Sequence, residues 1–120
     1  MLHHVVLGVS DLDRSAAFYD ALLGPLGWRR HYDQDGMIAW GIAKPVFFVS
    51  AGGDVKPGFG LLSFSAPGIA AVKAAWEGGT RGGGEGVSAP GEAKRPGSGS
   101  YSAFLTDPDG HSIEVTVGGE

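Results

Sequence analysis

The chain has 120 residues, 13 acidic against 9 basic side chains, a net charge of −4 and no cysteine. This length supports one domain with one modest hydrophobic core. Without cysteine, a disulfide, a thiolate zinc site and a cysteine nucleophile are all excluded. The basic side chains are scattered, so we expect no nucleic-acid partner. No apolar run approaches about eighteen residues and the N-terminus has no basic leader, so we expect no membrane span and a cytoplasmic protein.

The first half of the chain has the pattern β, α, β, β, β. Residues 2–9 (LHHVVLGV) are apolar and β-branched, which predicts a strand. Residues 13–23 (DRSAAFYDALL) place apolar side chains on one helical face, and either Ser10 or Asp11 can cap this helix. A turn containing glycine and proline ends the helix, and three short strands are predicted after it, at residues 28–32, 37–42 and 46–50.

The second half begins with the same order. Residues 60–66 predict a strand and residues 69–76 a helix. An offset of 57 residues (61 − 4) places Leu61 on His4, and the same offset places Trp76 on Tyr19. This self-similarity suggests an internal duplication, with modules at roughly 1–50 and 60–118.

The segment between this helix and the last strands is rich in glycine. Residues 78–100 contain one branched aliphatic side chain and predict mostly loop with one short edge strand; the functional alternative is a mobile lid over a site. Residues 101–106 and 111–117, separated by the turn sequence DPDG, predict a hairpin.

Two polar side chains stand out because strand alternation points both away from the helices. His4 shares its face with Val6 and Gly8, and Glu114 lies between the apolar residues Ile113 and Val115. Each has an ordinary explanation, as a partly exposed edge histidine and as a glutamate on a solvated face. Together they form a candidate site, with Glu114 as the candidate catalytic group.

Two segments, HVVLGVSDLDRSAAFY near the start and YSAFLTDPDGHSIEV near the end, resemble the vicinal oxygen chelate superfamily. That superfamily includes glyoxalase I, bleomycin resistance proteins and extradiol dioxygenases. The resemblance covers nearly the whole chain. It implies an α+β fold in which two βαβββ modules form a cup-shaped mixed sheet with helices on the outer face. It also implies a homodimer with the cavity between modules.

The resemblance further implies a metal site of four ligands, a histidine on the first strand and a glutamate on the fourth strand of each module. His4 and Glu114 match two of these positions. The other two fall on Leu61 and on Phe48 or Phe47, which cannot ligate a metal. Two protein ligands rarely hold a divalent ion tightly, so Zn, Ni, Fe, Mn or Co is expected to bind weakly or not at all.

Three further histidines are considered as substitute ligands. His3 and His111 should face the opposite side of their strands from His4 and Glu114, respectively. His31 lies beside two arginines in a solvated setting. None of the three is expected to bind a metal.

Three functions follow from these observations. The first is a metal-free or weakly metal-binding protein that holds a small molecule. The second is a divalent-metal-dependent lyase, isomerase or dioxygenase that uses His4 and Glu114, or a metal-free variant with Glu114 as general base and His4 as donor. The third is a non-catalytic dimeric interaction domain. The residues expected to line the ligand cavity are Phe48, Leu61, Ser63 and Ser65, with help from Trp40 or Tyr101.

Overall fold

The computed structural model of the chain describes residues 2–118. Its first module consists of β1 (Val5–Gly8), α1 (Leu12–Leu23), a short 3-10 helix (Gly24–Leu26), β2 (Arg29–Gln34), β3 (Met37–Gly41) and β4 (Phe47–Ser50). The second consists of β5 (Leu61–Ser65), α2 (Ile69–Arg81), β6 (Glu85–Glu92), β7 (Tyr101–Thr106) and β8 (Ser112–Val117). The predicted α+β class with two βαβββ modules is confirmed.

Each module forms one four-stranded mixed sheet. The strand order is β1-β4-β3-β2 in the first sheet and β5-β8-β7-β6 in the second. In both, the first strand pairs in parallel with the last, and the other neighbours are antiparallel. The two sheets therefore repeat one topology, which agrees with the duplication predicted from the sequence.

The start of α1 is fixed by a side-chain cap. Asp11 has an extended backbone, and its carboxylate accepts the backbone N–H of Arg14 at 3.1 Å. Ser10 does not cap the helix; its hydroxyl and backbone N–H both donate to Asp109 of the second module.

Both helices and the helix-facing sides of both sheets contribute to a single core. Phe18, Leu22 and Leu23 of α1 and Val72 and Ala75 of α2 are buried in it with the alternate residues of the strands. Aromatic rings from the two sheets meet there, with the centroids of Phe47 and Phe64 5.4 Å apart. The two modules therefore share one hydrophobic core.

Two glycines allow the helices to approach closely, and they correct the predicted end of α2. The helix was expected to end at Trp76, but it continues to Arg81. A Cβ at Gly78 would lie 2.2 Å from the carbonyl oxygen of Ala21, and one at Gly79 would lie 2.7 Å from Leu105. These glycines thus serve helix packing, which outweighs their low helix propensity.

The prediction of a mostly irregular segment at residues 78–100 is also corrected. Besides the end of α2, it contains the eight-residue edge strand β6. This strand is mostly exposed and is paired irregularly with β7, with register shifts at Gly86/Ser88 and Ser88/Gly91. It has no buried apolar face, which explains why hydrophobic alternation did not indicate it.

The DPDG turn joins the second module to the beginning of α1. The buried Asp107 carboxylate accepts the hydroxyl of Tyr19 at 2.6 Å and the backbone N–H groups of Asp109 and His111 at 2.9 Å. Burial, together with the neighbouring Asp107 charge, raises the pKa of Tyr19 well above its ordinary value, so its hydroxyl stays protonated as a donor. The two sequence segments that carried the family resemblance therefore bind each other.

No helix among residues 2–118 has both the length and the apolar character needed to cross a bilayer.

We predict that Gly78→Ala destabilises the chain by about 1–3 kcal/mol, because the added methyl group would overlap the backbone of α1. Gly24→Ala is the matched control, since Gly24 has helical φ and ψ and no atom near its potential Cβ. The control should be neutral or stabilising by up to about 1 kcal/mol. Urea unfolding of both variants measures the difference; equal effects would contradict close helix packing at Gly78.

Candidate functional site

The side of each sheet that lies away from the helices is called its open face. On the second sheet, the strand register places Ser63 beside Glu114 and Glu114 beside Phe104. The next row contains Ser65, Thr116 and Ser102. This open face is therefore rich in hydroxyl groups and carries one carboxylate at its centre.

On the open face of the first sheet, apolar and aromatic residues occupy the row that corresponds to Ser63, Glu114 and Phe104. Val6 lies beside Phe48, Phe48 beside Ala39, and Ala39 beside Tyr32. The pair Val6 and Phe48 in β1 and β4 corresponds to Ser63 and Glu114 in β5 and β8. Phe48, rather than Phe47, thus occupies the position that Glu114 has in the second module.

Glu114 is a buried carboxylate, with 2% of its surface exposed. Its Oε2 accepts the hydroxyl of Ser98 at 2.6 Å, and its Oε1 lies 3.8 Å from Nη1 of Arg95. The side chain of Arg95 is 53% exposed, so this cation bridges the buried carboxylate and the surface. A buried carboxylate needs such compensation, because desolvation alone strongly disfavours its charge.

The segment that supplies Ser98 and Arg95 is held on β8 by hydrogen bonds. The backbone N–H of Gly99 donates to the Thr116 hydroxyl at 2.9 Å, and that of Ser100 donates to the carbonyl of Val117 at 2.8 Å. We call residues 93–100 the strap. Because its end is fixed in this way, the strap places its serine and arginine over Glu114.

A cleft of about 790 Å³ lies on the open face of the second sheet. Glu114 does not line it but lies behind two residues that do, since Phe104 pairs with it and Arg95 contacts its carboxylate. Phe104 and Ser102 from β7 line it together with Val87 and Ser88 from β6. The strap forms its rim with Lys94 and Arg95, and Glu92 lies at the end of β6. The cleft therefore combines an apolar floor, hydroxyl groups and a charged rim.

A second cleft, of about 400 Å³, lies at the seam between the modules. It is lined mainly by residues near β1 and β5, including His4, Trp28, Leu62, Ser63 and Phe64. Ser63 and Ser65 thus border this cleft and also lie on the open face of the second sheet. Leu61 shares that face with them, beside Ser112.

His4 is exposed and lies on the first sheet. Its ring packs edge-on against Phe48 with a centroid distance of 5.6 Å, and its Nδ1 lies 2.8 Å from Nδ1 of His3. Within the described part of the chain, no contact links His4 to Glu114. A single chain therefore does not bring the two predicted ligands together.

Trp40 and Tyr101 do not line the open faces, which corrects the expectation that they contribute to the cavity. Trp40 is 1% exposed, faces α1, and donates its indole N–H to Asp20 at 2.9 Å. Burial opposes the charge of Asp20, but hydrogen bonds from Arg30 and Trp40 prevail and lower its pKa. Tyr101 pairs with Val117 and packs against the core. Both residues lie on helix-facing sides of their sheets.

The other histidines have structural roles. His31 lies at a bulge in β2, where its Nε2 is 3.2 Å from the carbonyl oxygen of Gly41. His111 is buried, with its Nε2 2.9 Å from the carbonyl oxygen of Gly8. Neither joins Glu114.

The comparisons agree with this architecture. The sequence matches the Glyoxalase/Bleomycin resistance protein/Dioxygenase superfamily over residues 1–115. A glyoxalase/bleomycin resistance protein from Albidiferax ferrireducens T118 is 31% identical, with a TM-score of 0.81 over 95% of this chain and 96% of that one. The chain belongs to this superfamily. No curated protein gives a significant match.

More distant members share the fold. A glyoxalase-related enzyme from Fulvimarina pelagi has 23% identity and a TM-score of 0.75, covering 98% of this chain and 87% of that one. The fosfomycin resistance protein FosX from Listeria monocytogenes, solved with Mn(II) and sulfate, has 22% identity and a TM-score of 0.70, covering 98% and 90%. At these identities the similarity concerns the fold alone.

The residues present do not fit the four-ligand metal site that the superfamily resemblance implies. Two of the four positions are Phe48 and Leu61, and no group of three or more His, Asp or Glu side chains capable of holding a metal occurs within residues 2–118. Glu114 is already compensated by Ser98 and Arg95. A divalent ion at Glu114 would also meet the guanidinium charge of Arg95.

Sequence reasoning identified Glu114, Ser63 and Ser65 on the open face but missed Arg95 and Ser98. These two lie in the glycine-rich strap, where no periodic sequence pattern indicates which way a side chain points. Alternation along β8 placed Thr116 on the face of Glu114, whereas Ser102 and Phe104 were missed, although alternation along β7 would have found them.

We predict measurable energetic coupling between Glu114 and Arg95. In a double-mutant cycle of Glu114→Gln and Arg95→Gln, the effects on the unfolding free energy should deviate from additivity by about 0.5–1 kcal/mol. This coupling is small because the side chain of Arg95 is half exposed and solvent screens its charge. Arg81→Gln on α2, combined with Glu114→Gln, is the control and should be additive within about 0.5 kcal/mol. Additivity in both cycles would refute the ion pair.

Proposed function

We propose that this superfamily member is a small-molecule-binding protein whose ligand lies on the open face of the second sheet beside Glu114. The observation that carries the proposal is the buried carboxylate at the centre of a hydroxyl-rich sheet face, next to a cleft of about 790 Å³. Ligand sites are typically concave, with an apolar lining and a few convergent polar groups. Phe104 supplies the apolar surface, and Ser88, Ser102 and Arg95 supply the polar groups.

The proposed binding does not depend on a divalent metal. Glu114 has an internal cation and a hydroxyl donor, and the positions equivalent to Glu114 and His4 in the opposite modules are Phe48 and Leu61. A metal-dependent lyase, isomerase or dioxygenase would need more ligands than His4 and Glu114, and a second copy of the chain brings the same two apolar positions, so dimerisation does not supply them. Binding of a ligand, rather than metal-assisted catalysis, is thus the function these residues support best.

We also propose that a homodimer encloses the site. Both helix-facing sides are used within the chain, so the open faces are the surfaces left for a second copy. The row on the first sheet is apolar, and Val6 within it is 48% exposed. Packed over the second sheet of a partner, this apolar row would cover the cleft and shield its exposed lining, such as Val87, from water. Light scattering should then give about twice the 12.3 kDa of one chain.

The test is a fragment screen that maps the binding site. In the ¹⁵N-labelled protein, aromatic fragments should shift the backbone amide signals of Ser88, Phe104 and Glu114, which form one row of the open face. Ser88→Trp should abolish the shifts of Phe104 and Glu114, because Ser88 is exposed and lines the cleft beside Phe104, so the indole would fill it.

Lys73→Trp, at an exposed position on α2, is the matched control and should retain them. If fragments shift only residues of the seam cleft, the site is misassigned. A dimer that binds no fragment would favour the non-catalytic interaction domain.

A further inference from the structure

We propose that Arg95 takes the place of a metal cation at Glu114 and selects, as the ligand of this cleft, a small organic anion with an apolar body. The inference rests on the proposed function and adds the chemical class of the ligand. It is argued from the charges around the cleft, the fixed position of the strap and the composition of the cleft floor.

The guanidinium of Arg95 is only partly used by the protein. Its one ion pair within the described chain is the 3.8 Å contact of Nη1 with Glu114, and it forms no hydrogen bond to another described residue. The side chain is half exposed and lines the cleft. A guanidinium has five N–H donors in a planar fork that matches an oxyanion, so Arg95 retains donors for a ligand.

The orientation of Arg95 is fixed by its contact with Glu114 and by the hydrogen bonds of the strap. Glu114 is buried and cannot follow a moving guanidinium, and the strap that carries Arg95 is hydrogen-bonded to β8 through Gly99 and Ser100. The backbone N–H of Ser98 also donates to the Arg95 carbonyl at 3.2 Å. A donor held in advance loses less entropy on binding than a free surface arginine.

The remaining charges of the rim are balanced. Lys94 is exposed, lines the same cleft and has no ion pair within residues 2–118. Glu92 is the one acidic side chain that lines the cleft, while Glu114 beside it is already compensated. Arg95 offsets Glu114 and Lys94 offsets Glu92, so the preference for an anion rests on the N–H donors of Arg95 that Glu114 leaves free. A cationic ligand would have to displace Arg95 from Glu114 and would leave both lysine and arginine opposed to it.

The floor of the cleft accounts for the apolar part of the ligand. Phe104 lies in the centre of β7 and Val87, on the edge strand β6, is 69% exposed. Covering these two side chains would remove apolar surface from water, which is favourable in proportion to its area. Ser88 and Ser102 offer hydroxyl groups between the floor and the rim.

The experiment compares four probes that share a phenyl ring and differ in charge: phenylacetate, phenylphosphonate, neutral phenylacetamide and cationic phenethylamine. Each is titrated into the ¹⁵N-labelled wild-type chain while the amide signals of Ser102, Phe104 and Glu114 are followed. We expect at least one anion to bind about tenfold more tightly than phenylacetamide. The carboxylate and phosphonate arms distinguish the two kinds of oxyanion.

Arg95→Gln should lower the affinity for the anions about tenfold more than the affinity for phenylacetamide, which removes the preference for anions. Arg95→Lys keeps the charge and should retain part of the preference, which guards against a merely structural effect of the substitution. Arg81→Gln, on the other side of the sheet, is the matched control and should behave as wild type.

Equal affinities for the anions and phenylacetamide would overturn the inference, as would an unchanged anion preference in Arg95→Gln. In either case, binding of phenylacetamide at the open face would leave the proposed function standing. If no probe shifts the open-face amides, both the inference and the proposed function fail.

Discussion

The close packing of α1 against α2 is the constraint on which the rest of the structure depends. Gly78 lies against the backbone of Ala21, and Gly79 lies against Leu22 and Leu105, so the helices and the sheets behind them share one core. Each sheet thereby uses its helix-facing side within the chain. The opposite sides remain open, and every candidate binding residue lies on or beside them.

The two open faces have one topology and different chemistry. The positions of Ser63 and Glu114 in the second module correspond to Val6 and Phe48 in the first. The two modules thus carry one polar and one apolar version of the same positions. This asymmetry suits a binding site in which one open face contacts polar groups of the ligand and the other excludes water. It also removes half of the ligands that a symmetric metal site needs.

Burial of Glu114 is costly, and the strap offsets this cost locally. Ser98 supplies a hydroxyl donor and Arg95 a positive charge, both from a segment that itself depends on β8 for its position. Removing either partner would leave a buried acceptor less well satisfied, which destabilises a folded protein more than the net value of the interaction suggests. The same arrangement leaves guanidinium donors facing the cleft.

The sequence predicted the features that depend on periodicity. Alternation placed His4 and Glu114 away from the helices, and the offset of 57 residues anticipated the equivalence of Val6 and Ser63. Sequence periodicity did not predict the features that depend on tertiary contacts. Gly78 and Gly79, for example, are poor helix formers, but in the structure they allow close packing of the helices. Arg95 and Ser98 acquire their positions only when the strap binds β8. Trp40 was misplaced because its face follows from its pairing with Phe47, a register that one strand alone does not reveal.

The charge of Glu114 is balanced by Ser98 and Arg95 of the same chain, and metal analysis tests this most directly. Wild-type protein purified without chelator would be analysed for Zn, Ni, Fe, Mn and Co beside His4→Ala and Glu114→Gln. The account predicts far less than one metal ion per chain and the same residual content in all three proteins. One ion per chain that both substitutions remove would contradict it and would establish His4 and Glu114 as partners in a metal site.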